Sequence, residues 1–115
     1  MRLIGILITV VSVSVFSTEL LAQESEISRD IIAMGCEKDK TECSVELNGE
    51  VFGPENCLAN TLKFNLKKDA NAEASLMLLS AAFLAGKKVK FVVAAECYDK
   101  GSTEWPTFDS FKVIN

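Results

Sequence analysis

The chain contains no histidine. That absence removes Ser–His and Cys–His nucleophile pairs, the imidazole metal ligand, and the side chain that switches charge near neutral pH. The four cysteines, Cys36, Cys43, Cys57 and Cys97, include no Cys-x-x-Cys pair. Neither a thioredoxin-type redox couple nor a zinc knuckle is therefore indicated. No basic stripe is present. The 12 Lys and Arg stand against 16 Asp and Glu, a formal net charge of −4, which argues against nucleic acid as a partner. Carboxylates are plentiful, but most fall on polar, turn-like stretches such as EKDKTE (37–42). Nothing marks two of them as an acid–base pair, and they read as solvated surface. No catalytic residue, cofactor or metal site is expected, and the chain is read as a non-enzyme.

A long hydrophobic run is also missing. The apolar stretch at 3–16 has 14 residues, short of the ~20 that a spanning helix needs. It follows Arg2 and precedes STELLAQES, the layout of a secretory signal peptide. Cleavage is expected after Ala22, with Ser17 as the alternative. No cysteine lies just beyond the apolar stretch, so a lipid anchor is not expected. Removal of residues 1–22 from the 115 leaves 93, residues 23–115, which read as one domain. The expected location is the periplasm or the exterior, with no stable membrane insertion after cleavage. A domain this small buries only ~60–65% of its extended surface and gains from covalent staples. In an oxidising compartment four cysteines read as two disulfides, with three possible pairings.

What is there begins with alternation. Ile32, Met34 and Cys36 share one face of a first strand, and Cys43, Val45 and Leu47 share one face of a second. Antiparallel pairing across the polar run 37–42 sets Cys36 against Cys43, Met34 against Val45 and Ile32 against Leu47. One register thus buries all three pairs, and a Cys36–Cys43 bridge fits it. Asn48-Gly49 signals a turn or bulge, and FGPENC (52–57) a loop. Leu62, Phe64 and Leu66 alternate with Lys63, Asn65 and Lys67 in a third strand. KDAN then turns the chain, and Asp69 or Asn71 is placed to cap a helix. The helix runs to about Ala85, with Gly86 as its left-handed stop. A fourth strand follows, with Val89, Phe91, Val93, Ala95 and Cys97 on one face. The fifth covers about Phe108–Ile114, with Phe111 and Val113 together.

The order strand, strand, strand, helix, strand, strand is that of the OB-fold. The expected class is all-β with one helix, a five-stranded OB-fold-like barrel. The alternative is an open α+β sheet with one covering helix. The helix itself is unusual: no charged residue occurs from Ala74 to Gly86. Leu76, Leu79, Phe83 and Gly86 form a stripe suited to plugging a barrel end. Met77, Ala81 and Leu84 form another flank. A helix apolar all round is normally covered on more than one side, so that flank is a candidate homo-oligomer interface.

Residues 57–114 carry a further pattern. A cysteine opens the third strand, and the helix ends in A-x-x-x-A-G-K-K-V (Ala81, Ala85, Gly86, Lys87, Lys88, Val89). The next strand ends at Cys97, and a loop with Pro106 leads to a short apolar strand. This resembles the small exported OB-fold proteins similar to the B subunit of subtilase-type bacterial toxins. The resemblance spans about half of the mature chain, with Cys36 and Cys43 outside it. It implies a Cys57–Cys97 bridge. It also implies glycan recognition by an oligomer, although no binding residue carries over. The sequence itself offers Tyr98, Trp105 and Phe108 on the loop before the last strand as candidate ligand contacts, since such rings suit both sugar faces and protein surfaces. The expected function is an exported binding module for a glycan or an envelope protein. The alternative is a stand-alone interaction or inhibitor protein.

Overall fold

The computed structural model describes residues 25–99 and 104–115. The expected leader lies outside them, as do residues 100–103 of the last loop. Five strands and one helix are present: β1 (Ser25–Cys36), β2 (Glu42–Leu47), β3 (Thr61–Asn65), α1 (Ala72–Ala85), β4 (Lys88–Cys97) and β5 (Pro106–Ile114). All strand pairs are antiparallel, in the order β3-β2-β1-β4-β5. The fold is therefore mostly β with one helix. The sheet is open, because no ladder joins β3 to β5 among the described residues, and the expected barrel is not closed by hydrogen bonds.

The long first strand serves two partners. Its first half, Ser25–Asp30, pairs with β4, and Ile31–Cys36 pairs with β2. At the change of partner a bulge falls between Ile31 and Ala33. The expected register holds below the bulge, where Cys36 meets Cys43 and Met34 meets Val45. Above it the register slips by one residue. Ile31, not Ile32, stands opposite Leu47 and is buried at 8% exposure, while Ile32 is 51% exposed. An extra residue on one strand reverses every side chain beyond it.

The Asn48-Gly49 signal marks this same junction. It makes no hairpin; β2 ends at Leu47, and residues 48–50 form a bend. The Asp30 N–H donates to Asn48 Oδ1 at 3.0 Å, and the Asn48 N–H donates to the Asp30 carbonyl at 3.1 Å. Arg29 Nη1 donates to the carbonyls of Asn48 and Glu50, at 2.6 and 2.9 Å. Gly49 has φ +96°, and a Cβ there would stand 2.5 Å from Arg29 Nη1. The bend therefore favours glycine for its conformation, and a side chain there would displace the Arg29 guanidinium from the bend.

The core lies between the concave sheet face and α1. Val45, Leu47, Leu62, Leu79, Val89, Phe91 and Val93 are all buried. A fully buried side chain of this size contributes ~1.5–3 kcal/mol. The helix lacks a polar face, so its contacts rather than its pattern decide what is buried. Ala72, Leu79 and Ala82 are buried and Leu76 packs against them, whereas Phe83, expected in that stripe, is 36% exposed. Asn71 is the N-cap, but it adopts a left-handed φ of 58° and its side chain caps nothing. Asp69 instead accepts from the Asn65 N–H. Gly86 ends the helix in the left-handed conformation as expected, and the Lys87 N–H reaches back to Ala82 O at 2.9 Å. On β4 the alternation fails after Val93, where the register with β5 shifts; Ala94 rather than Ala95 is buried. On β5, Phe111 packs on the core while Val113 is exposed.

Two disulfides are present. Cys36–Cys43 crosses β1 and β2 with Cα atoms 4.0 Å apart, and Cys57–Cys97 ties the short 3-10 turn Glu55–Cys57 to the end of β4. Their loops differ in length, with sequence separations of 7 and 40. Chain-entropy estimates give about 2.5 kcal/mol for the shorter and about 4 kcal/mol for the longer. Urea unfolding of the two double-alanine variants is expected to show that order. Cys57→Ala with Cys97→Ala loses more stability than Cys36→Ala with Cys43→Ala, and the reverse order would overturn the entropic account.

Candidate functional site

A concavity lies where the sheet fails to close. β3 and β5 are its two edges, and their near ends meet without a backbone ladder. Thr107 Oγ1 donates to the Lys63 carbonyl at 2.6 Å, and the Phe64 and Phe108 rings pack edge to face at 5.5 Å. Further along β5 the gap becomes a groove of about 730 Å3 beside the first turns of α1. Phe64, Phe108, Phe111 and Val113 line its sheet side, and Ala72, Ala74 and Leu78 its helix side. Asp69, Asp109 and Lys112 bring charge to its lining. The aromatic packing is continuous, since Phe108 also meets Phe91 and Phe111 at 5.5 and 5.7 Å. The groove is thus mainly apolar and bordered by a strand edge that has no partner strand among the described residues. That combination can grip a chain through its backbone and its side chains at once.

The expected ligand contacts separate into two groups. Phe108 belongs to β5 and to the aromatic packing just described, where it also lines the groove. Tyr98 and Trp105 lie together at the other side of β3, joined by a hydrogen bond from the Tyr98 N–H to the Trp105 carbonyl at 2.9 Å. Lys63 Nζ sits 4.6 Å from the centre of the Trp105 ring and 3.7 Å from Glu42 Oε1. One face of the indole is therefore already engaged by a cation.

Asn65 anchors Tyr98. It is the one buried polar residue among those described, at 8% exposure. Its Oδ1 accepts from Thr41 Oγ1 and from the N–H groups of Lys67 and Lys68, at 2.9, 2.9 and 3.0 Å. Its Nδ2 donates to the Tyr98 hydroxyl at 3.3 Å. Strict alternation places Asn65 with Lys63 and Lys67 on the wet face and gives no sign of this burial. The available signal is its position before the Lys67–Asp69 turn, where an Asn side chain bonds to backbone N–H groups ahead of it. The Tyr98 phenol is pushed above its ordinary value, chiefly by burial. The Asn65 hydrogen bond opposes this in part, and the carboxylates of Glu42 and Asp69 add to it.

Met77, Ala81 and Leu84 lie together on the outward face of α1. Met77 is 71% and Leu84 84% exposed, the barest large apolar side chains among those described. Among the described residues no cluster of three or more His, Cys, Asp and Glu is placed to hold a metal ion, and no helix is long and apolar enough to cross a membrane. No family model, curated protein or solved structure matches this chain.

Tyr98 is the sole tyrosine, so an ultraviolet titration of phenolate reads it alone. The folded protein is expected to ionise above the ordinary 10.0, returning to about 10 in denaturant. The folded state then holds the proton longer than the unfolded state. Its contribution to stability is complete below pH 10 and falls away as the pH rises through the folded value. A folded midpoint at or below the denatured one would contradict the burial of this ring.

Proposed function

We propose that this chain is an exported binding module without catalytic chemistry of its own. It holds an extended protein segment along β5, in the groove beside α1. Two disulfides and the lack of a membrane-crossing helix among the described residues fit an exported protein. The strand order, with a helix between β3 and β4, supports an OB-type barrel left ajar at its β3–β5 seam. On this reading the resemblance to toxin B subunits extends to the use of the fold as a recognition platform. Whether the module acts beside a toxic partner or alone, its working surface is the same.

The observation that carries the reading is the edge of β5, unpaired among the described residues, running along an apolar groove. An extended ligand would extend the sheet by one strand, and its alternate side chains would enter the groove. The apolar lining from Phe64, Phe108, Phe111 and Leu78 favours hydrophobic residues at those positions. A sugar would find better partners at Tyr98 and Trp105, where Glu42, Lys63 and Asn65 supply polar groups. The Lys63 contact on the indole competes with stacking there, which places the glycan reading second.

Peptide display and a glycan array separate the two. The oxidised protein is expected to select extended peptides with alternating apolar residues. Val113→Glu, an exposed change in the groove wall, abolishes that selection, and Trp105→Ala leaves it intact. Specific glycan binding that is lost in Trp105→Ala and kept in Val113→Glu would move the site to the other side of β3.

A further inference from the structure

The groove leaves one surface unexplained. Ala74, Met77, Ala81 and Leu84 follow one another at spacings of three, four and three along α1. They form a seam opposite the buried stripe of Ala72, Leu79 and Ala82. All four are exposed. The seam alternates small, large, small, large. Its flanks are marked by charge only at the ends, with Glu73 in the first turn and Lys87 just past Gly86.

We propose that this face packs against the same face of a second copy, with the two α1 helices antiparallel about a two-fold axis near Ser80. In that register Ala74 lies across from the partner's Leu84, and Met77 across from the partner's Ala81. Each large side chain meets a small one, so knobs find space and the axes approach to ~8 Å. The same register sets Glu73 beside the partner's Lys87, twice by symmetry, and reverses the two helix dipoles. Ser80 meets its own copy at the axis, where a small residue is needed. A parallel pair would instead stack alanine on alanine and methionine on methionine, with Glu73 beside Glu73.

The charges favour a second copy over other occupants. A membrane-lying helix carries Lys and Arg along its polar face, whereas this helix has none between Ala74 and Gly86 and the chain is acidic overall. Lys88 is already paired with Asp30 at 3.4 Å, while Lys87 meets only the neutral Asn115 amide among the contacts seen, at 3.0 Å. Lys87 is therefore the cation that gains most from a carboxylate across the seam. The groove shares Ala74 with this face but opens to its side, toward Leu78 and Ser75, and Val113 on β5 and Ala81 on α1 each belong to one surface alone, so those two positions separate them by mutation.

Sedimentation velocity of the oxidised, exported chain tests the pairing. A species of twice the protomer mass is expected. Glu73→Lys or Lys87→Glu alone weakens it by roughly tenfold, and the two together restore it, because the exchanged charges again face each other. Ala81→Arg gives a monomer that keeps its helical circular dichroism and both disulfides, and Val113→Glu leaves the dimer unchanged. A monomer at the highest soluble concentration, a five-membered ring, or a dimer indifferent to Ala81→Arg would each overturn the proposal. So would failure of the double exchange to restore pairing. Vesicle binding without self-association would assign the face to a lipid surface instead.

Discussion

The structure depends on one strand being shared. β1 gives its first half to β4 and its second half to β2, and among the described residues no other strand ladder joins the two half-sheets. The change of partner needs a bulge in β1 and a sharp bend in the chain leaving β2. Arg29 holds that bend by bonding two of its carbonyls and lying 5.2 Å from the centre of the Phe52 ring. The bulge turns Ile31 inward and so supplies the core at the point where the two halves diverge. It also bends the sheet, and the curvature carries the outer edges of β3 and β5 toward each other. They meet through Thr107 and Phe108 but form no ladder. The groove is what remains of a closure that stops short.

Much of this was legible in the residues. Strict alternation fixed β3 through Leu62 and Phe64, and it fixed the first part of β4 through Val89, Phe91 and Val93. The pairing of Cys36 with Cys43 followed from the register of two apolar faces, and the stop at Gly86 from glycine's freedom. The misreadings cluster where alternation is interrupted. Alternation puts Ile32 in the core, because nothing in a row of Ile, Ile and Ala shows which residue a bulge will expel. Ala94 was missed for the same reason. Phe83 stands partly exposed while Ala82 is buried, because a helix without a polar face leaves its rotation undetermined by pattern. Asn65 was hidden because its burial comes from Tyr98, over thirty positions away. The Cys57–Cys97 bridge came from resemblance rather than from spacing.

The helix carries two duties that its composition reconciles. One stripe closes the core and a flank walls the groove, which leaves a third surface that no element of the described residues covers. Ala, Leu and Met form helices well in any surroundings, so the sequence keeps its fold while leaving that surface free to specialise. In a domain of this size the core alone gives limited stability, and the disulfides make such a surface tolerable. They hold the protomer together independently of whether the outer face is covered.

The pairing of Ser25 with Val93 spans almost the whole described chain. A chain made from its N-terminus presents the first half of β1 long before β4 exists to receive it. The hairpin of β1 and β2 is local and can form early, but Ser25–Asp30 must wait for residues 88–93. Such non-local pairing is slow to find. The first half of β1 therefore finds its place only on the return of the fourth strand, and until then its leading edge stays open to whatever other strand it meets.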